Sequence, residues 1–253
     1  MRRQGLLILK MKRPTFFIRS MIALLITYAA YDSLTISKMI LGYSQSGVSS
    51  LPFVRAHVLD FTKVMAWRYS FFIHAFIGIV VLSSGIASVI TSFVPSLKSV
   101  HRFFGKIYLL SVLLLSAPAA LVMSFFARGL WITKVNFFCL GLAWFWVTFR
   151  GYQLIRERRF RDHAIVMILS YGLTCAALLQ RRITFWGTVL NFIFLDRGPA
   201  KYLYEVSAVG GWAVSLSIAL VIVWKCYGLR PSDAFRLLFK YSNNSLSFPR
   251  TKI

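Results

Sequence analysis

The chain has 253 residues, of which 58% are hydrophobic, 16% aromatic and only 15% charged. Soluble domains carry about a quarter charged residues, so this composition excludes a disordered chain and argues against a soluble enzyme. Thirty Lys and Arg against seven Asp and Glu give a net charge of +23. These charges fall in short clusters between long apolar runs, which points to membrane edges and not to nucleic acid.

A helix that crosses a bilayer needs about 20 mostly apolar residues. The first run, 16–31, is short, carries Arg19 and follows Lys10, Lys12 and Arg13. Its apolar character continues to Ile36, Met39 and Leu41, so it reads as a retained anchor and not as a cleaved signal. Val54, Val58, Phe61 and Met65 then recur at helical spacing. They predict an amphipathic helix on the outer surface, with His57 solvated beside it. Five longer spans follow at about 70–94, 103–127, 132–155, 163–190 and 206–227. Pro95, Pro199 and Pro231 fall just beyond span ends, whereas Pro118 lies inside one and predicts a kink. The expected fold class is all-α: a bundle of about six transmembrane helices, a single integral membrane domain over 1–253 with no soluble domain.

Lys and Arg in short connections set orientation. Besides the N-terminal cluster, they gather at Lys98, Arg102 and Lys106, at Arg156, Arg158, Arg159 and Arg161, and at Arg230, Arg236, Lys240, Arg250 and Lys252. Six spans put all four groups on one side, which predicts both termini in the cytoplasm and contact with a bilayer rich in anionic headgroups. Trp67, Tyr69, Trp131, Tyr202 and Tyr204 fall at the predicted outer boundary, and Trp224 and Tyr227 at the inner one.

Polar residues inside a membrane are costly and usually face the bundle interior. His163 and Arg181 stand 18 residues apart, five helical turns, and so share a face with Ser170 and Thr174, with Tyr171 close by. That stripe is about 27 Å long. It predicts that Arg181 faces the bundle or a polar cavity near the outer boundary, while Arg182, turned by about 100°, reaches for headgroups. In the second span His74, Gly78, Gly85 and Ser92 share a face, with Ser84 and Ser88 in a small-residue series suited to close helix approach. His101, Gly105 and Tyr108 share a face at the start of the third. The fourth carries Asn136, Trp144, Trp146, Thr148 and Arg150, a surface for a flat ligand or for neighbouring helices. Cys139, Cys175 and Cys226 have no metal-ligand or haem-attachment spacing and read as apolar fillers. No nucleotide-binding, zinc-protease or nucleophile-elbow motif occurs, which argues against ordinary hydrolase or kinase chemistry.

The pattern His101-x-x-x-Gly105-x-x-Tyr108, then His163-x-x-x-Met167-x-x-Ser170-Tyr171 with Arg181 beyond, and His74 with Gly78 before it, resembles the DUF2306 family. Its members are bacterial multi-pass membrane proteins, and the likeness covers about Ser70 to Leu195. Val166 stands where that family has a Trp. The resemblance implies a bacterial inner membrane. A weaker likeness runs to two-haem cytochromes of the b561 kind, which hold their haems with four ligands on four central helices. Here His74, His101 and His163 lie on the second, third and fifth spans, and the fourth supplies none. This likeness implies b-type haem or quinone-linked electron transfer, with His101 and His163 as axial ligands at matched depth. Arg102 and Lys106 would then meet the propionates of a single haem b. The alternative is a non-redox membrane protein, either a small-solute or lipid carrier or an accessory subunit, whose polar stripes only pack.

Overall fold

The computed structural model describes residues 64–92, 94–195 and 202–239, together with the isolated positions Ala23, Thr27, Tyr31 and Leu34. Apart from those isolated positions, the expected first span lies outside the described residues, as do the amphipathic segment before Val64, with His57, and the extreme termini. Among those described, five helices are long and apolar enough to cross a membrane, and there is no β-strand. The chain is an all-helical, multi-pass membrane protein.

Helix α1 covers Met65–Ser92, and a 3₁₀ turn over Pro95–Leu97 leads into α2, Lys98–Ser124. Helices α3, Trp131–Arg156, α4, Phe160–Leu195, and α5, Leu203–Tyr227, complete the crossing set. A short amphipathic helix, α6, covers Pro231–Phe239. The connections 93–97, 157–159 and 228–230 share one end of the bundle, flanked by Lys98, Arg102, Arg156, Arg158, Arg159, Arg161 and Arg230. We call this the basic end.

Each span begins one to five residues before the apolar core predicted for it, because polar turns outside the hydrocarbon remain helical. The kink expected at Pro118 takes a specific form. Residues Ser111–Ser116 make a π-helical turn inside α2, immediately before the α-helix Ala117–Ser124. Proline has no N–H to offer the carbonyl four residues back and its ring crowds that carbonyl, so the turn upstream widens.

The connection between α3 and α4 is only three residues long. Arg159 N–H donates to the Leu154 carbonyl (2.9 Å) and Arg158 N–H to Ile155 (3.1 Å), the paired bonds of a Schellman ending. Arg158 occupies the left-handed position normally given to glycine, with φ of 60°. Arg159 spans the turn, 2.8 Å from Asp162 and 3.2 Å from Glu157.

The largest interface is that of α4 with α5, and it is built from small residues. Gly172 faces Ser215 and Ala219, Gly211 faces Ala176, and Ser207 receives the Thr184 hydroxyl at 2.7 Å. Lipid is as apolar as Leu, so close backbone approach and interhelical hydrogen bonds, not burial from water, hold such helices together. Ser215 adds a hydroxyl bond to the Gly172 carbonyl. Gly78, by contrast, has open space where a Cβ would stand, so it does not mark a close approach.

Helix α6 lays Ala234, Leu237 and Leu238 on the basic end. Arg150, 2% exposed, is the largest charged side chain in the interior. Its Nε donates to the Leu237 carbonyl at 3.1 Å, and its Nη1 lies 3.0 Å from Gln153 Oε1 and 3.2 Å from Glu157 Oε1. Trp146 Nε1 donates to the Leu238 carbonyl at 3.2 Å. The last carbonyls of a helix lack partners within it, and α3 supplies two donors for them. Of the aromatic residues assigned to the outer boundary, Trp131, Tyr69 and Tyr202 are exposed, whereas Trp67 is 1% exposed, with its ring stacked 5.7 Å from Phe71.

Candidate functional site: a histidine and hydroxyl column

Three histidines are held in the same manner. His101, in the first turn of α2, has Nδ1 2.9 Å from the Ser88 carbonyl of α1 and 3.3 Å from the Ser88 hydroxyl. His163, in the first turn of α4, has Nδ1 2.7 Å from the Gly151 carbonyl of α3. His74 of α1 has Nδ1 3.1 Å from the Ser116 carbonyl and 3.2 Å from its hydroxyl, at the end of the π turn. A carbonyl only accepts, so in each neutral ring the proton sits on Nδ1 and the lone pair on Nε2. His101 and His163 both stand in first turns at the basic end, and His74 lies in the opposite half of the bundle.

A hydroxyl network occupies the depth between these two groups. The Tyr108 hydroxyl lies 2.8 Å from both Ser170 Oγ and Thr174 Oγ1. Trp144 Nε1 donates to Thr174 Oγ1 at 3.0 Å, and Thr148 Oγ1 is 2.7 Å from Ser170 Oγ. The Thr148 and Thr174 hydroxyls also reach the carbonyls of Trp144 and Ser170, at 2.7 and 3.1 Å. Tyr171 packs against Gly85 and donates to the Leu82 carbonyl at 3.4 Å. His74 approaches this network through Trp144, edge to face at 6.5 Å. The first half of α2 and helix α4 barely approach one another backbone to backbone, and the Tyr108 side chain bridges them.

Ser170 and Thr174, aligned on one face of α4, thus both meet Tyr108, which the sequence aligned only with His101 and Gly105 on α2. Arg102 and Lys106 are exposed on α2 within a turn or so of His101. The structure corrects the roles given to the arginine pair: Arg181 is exposed and Arg182 half-buried, with its guanidinium 5.9 Å from the Tyr31 ring centroid. Face counting missed the three histidine anchors, because backbone carbonyls on other helices carry no side-chain signal. Among the described residues, no three or more His, Cys, Asp or Glu are grouped so as to hold a metal ion.

A family model described as "Predicted membrane protein (DUF2306)" matches residues 71–223, more than half of the chain. The chain belongs to this family. The matched segment contains all three histidines and the whole hydroxyl network, whereas α6 lies beyond it. No curated protein and no solved structure matches the chain.

Proposed function

We propose that this family member is a b-type haem protein that moves electrons within the membrane, with His101 and His163 as the two axial ligands. The observation that carries this reading is the common anchoring of Nδ1 on a backbone carbonyl. A ligating imidazole needs its second nitrogen fixed in this manner, because the anchor sets the tautomer, orients the ring and raises the basicity of Nε2. These two rings belong to separate rigid helices at the same end, as bis-imidazole ligation requires. When bound, a haem supplies one-electron transfer, and the membrane setting suits exchange with quinones. Arg102 and Lys106 supply cationic groups for the propionates. His74, in the opposite half, is assigned to packing against Ser116 and Trp144, so the expected stoichiometry is one haem.

Purified after expression with ample haem precursor, the chain should give the reduced-minus-oxidised spectrum of a b-type haem. His101→Ala or His163→Ala should abolish it, and His74→Ala should spare it. A well-folded protein that purifies without colour overturns the reading. One observation favours the non-redox alternative, a carrier or an accessory subunit: the hydroxyls of Tyr108, Ser170, Thr174 and Thr148 satisfy one another, as groups that only bind helices together would.

We also place the basic end in the cytoplasm of a bacterial inner membrane, against anionic headgroups. The support is the shared position of the connections 93–97, 157–159 and 228–230 with their Lys and Arg. A reporter active only outside the cytoplasm should give signal when fused after Gly129 and none after Arg158. The reverse pattern would place the basic end outside.

A further inference from the structure

Helix α6 does more than cover the basic end: it runs back along the bundle. Helix α3 ends at Arg156, and Arg150 and Trp146 stand about 9 and about 15 Å short of that end at 1.5 Å per residue. These two side chains hold the carbonyls of Leu237 and Leu238, at 3.1 and 3.2 Å. Side chains tilt toward the start of their own helix, which for α3 is the opposite end of the bundle. The last turn of α6 therefore lies beside the membrane-crossing part of α3, while its first residue, Pro231, follows the turn at 228–230. Ala234, Leu237 and Leu238 join the same apolar core as Val147, Leu154 and Val223. The final carbonyls of a helix that ends in water are hydrated, whereas those of one that ends among acyl chains need protein donors. Arg150 and Trp146 are such donors.

The outward face of α6 is then a face toward lipid. Ser232, Phe235, Arg236 and Phe239 line one shallow groove along it. Phe239, at the inner end, is 74% exposed, and the Arg236 side chain is 77% exposed. A long basic side chain at this depth lays its stem along apolar surface and sends its charge out to the headgroup layer. Arg230 is exposed in the turn that leads into α6, so two arginines stand against one acid here, Asp233, which lies 3.8 Å from Arg236. That balance suits an anion. We propose that this face holds one phospholipid with an anionic headgroup, the head at Arg236 and Ser232 and an acyl chain along Phe235 and Phe239. This lipid site rests on the basic end lying at a bilayer surface, and neither on the haem reading nor on which side of the membrane that end faces.

The test uses the full chain in nanodiscs of equal parts phosphatidylcholine and phosphatidylglycerol. Phe239 is replaced by p-benzoylphenylalanine, which on irradiation bonds to nearby C–H groups, and the adducts are identified by mass spectrometry. Phe76, exposed within the apolar run of α1, is the reference position. Lipid adducts are expected at both. At position 239 phosphatidylglycerol should exceed phosphatidylcholine about fivefold, the preference that one basic side chain near the surface confers. Arg236→Ala, an exposed change, should bring that ratio close to the even ratio expected at position 76. Lipid adducts at position 76 with none at 239 overturn the insertion of α6 while leaving the bundle in its bilayer. A crosslink from 239 to another segment of this chain, or to a second copy, overturns it as well. Equal yields of the two lipids at 239 overturn the anionic headgroup.

Discussion

Replacing Gly211 by Ala should cost about 2 kcal/mol, and replacing it by Leu considerably more, because the interface cannot retreat locally. A Cβ at this position would stand 2.8 Å from the Ala176 carbonyl oxygen and 2.9 Å from the Gln180 amide nitrogen. Both belong to the backbone of α4, so relief requires α4 and α5 to separate as whole helices. That movement would also break the bonds of Ser207 to Thr184 and of Ser215 to Gly172. A thermal scan of the solubilised protein should fall by about 4–8 °C for Gly211→Ala. Its neighbour provides the control: a Cβ on Gly210 would meet only Ile183 Cδ1 at 3.4 Å. Gly210→Ala should be neutral or slightly stabilising, since Ala is the better helix former. Equal effects at the two positions would mean that close packing of these helices is not what holds them.

The second large effect is expected at Arg150. Truncation to Ala removes the donor for the Leu237 carbonyl and leaves Gln153 and the partly exposed Glu157 without their shared partner. Loss of roughly 3 kcal/mol is expected, within the range for breaking a buried charge-assisted network and lowered for the exposure of Glu157. The loss should be local. Limited proteolysis should cleave the connection 228–230 faster, as α6 loosens from the bundle. Arg150→Lys should rescue poorly, because an ammonium cannot reproduce the forked contacts of the guanidinium. Arg156→Ala, an exposed change, should stay within about 0.5 kcal/mol of the parent. Unchanged cleavage in Arg150→Ala would show that the apolar face of α6 alone holds it in place.

Arg150 also shows where reading the sequence reaches its limit. Grouped with Asn136, Trp144, Trp146 and Thr148, it read as part of a surface for a flat ligand or for neighbouring helices. The residues that reveal its burial, Gln153 and Glu157, sit three and seven positions later on the same helical face. Their spacing was visible, but its meaning depends on α6 arriving from another part of the chain. The five long spans were legible because hydrophobic length is a local property that the bilayer demands. The alignment of Ser170 with Thr174 was legible because 3.6-residue periodicity survives over a few turns; that Tyr108 of α2 meets them was not, since periodicity says nothing of which helices are neighbours. Arg181 was misplaced because a shared helical line does not fix which neighbours stand beside each end of it, five turns apart.

The π turn of α2 has one further consequence. An α-helix has a single angular phase, so all of its faces follow once one residue is placed. Inserting one residue at Ser111–Ser116 shifts that phase by about 100° midway. The half before the turn lies on α1, with Tyr108 crossing to α4, while the half after it, with Leu121 against Gly141, lies on α3 as well. No straight helix could satisfy both surfaces with this sequence. A chain one residue shorter within the turn would keep its composition, length class and hydropathy. Yet it would swing His101 and Tyr108 away from the column while leaving Ser116 beside His74.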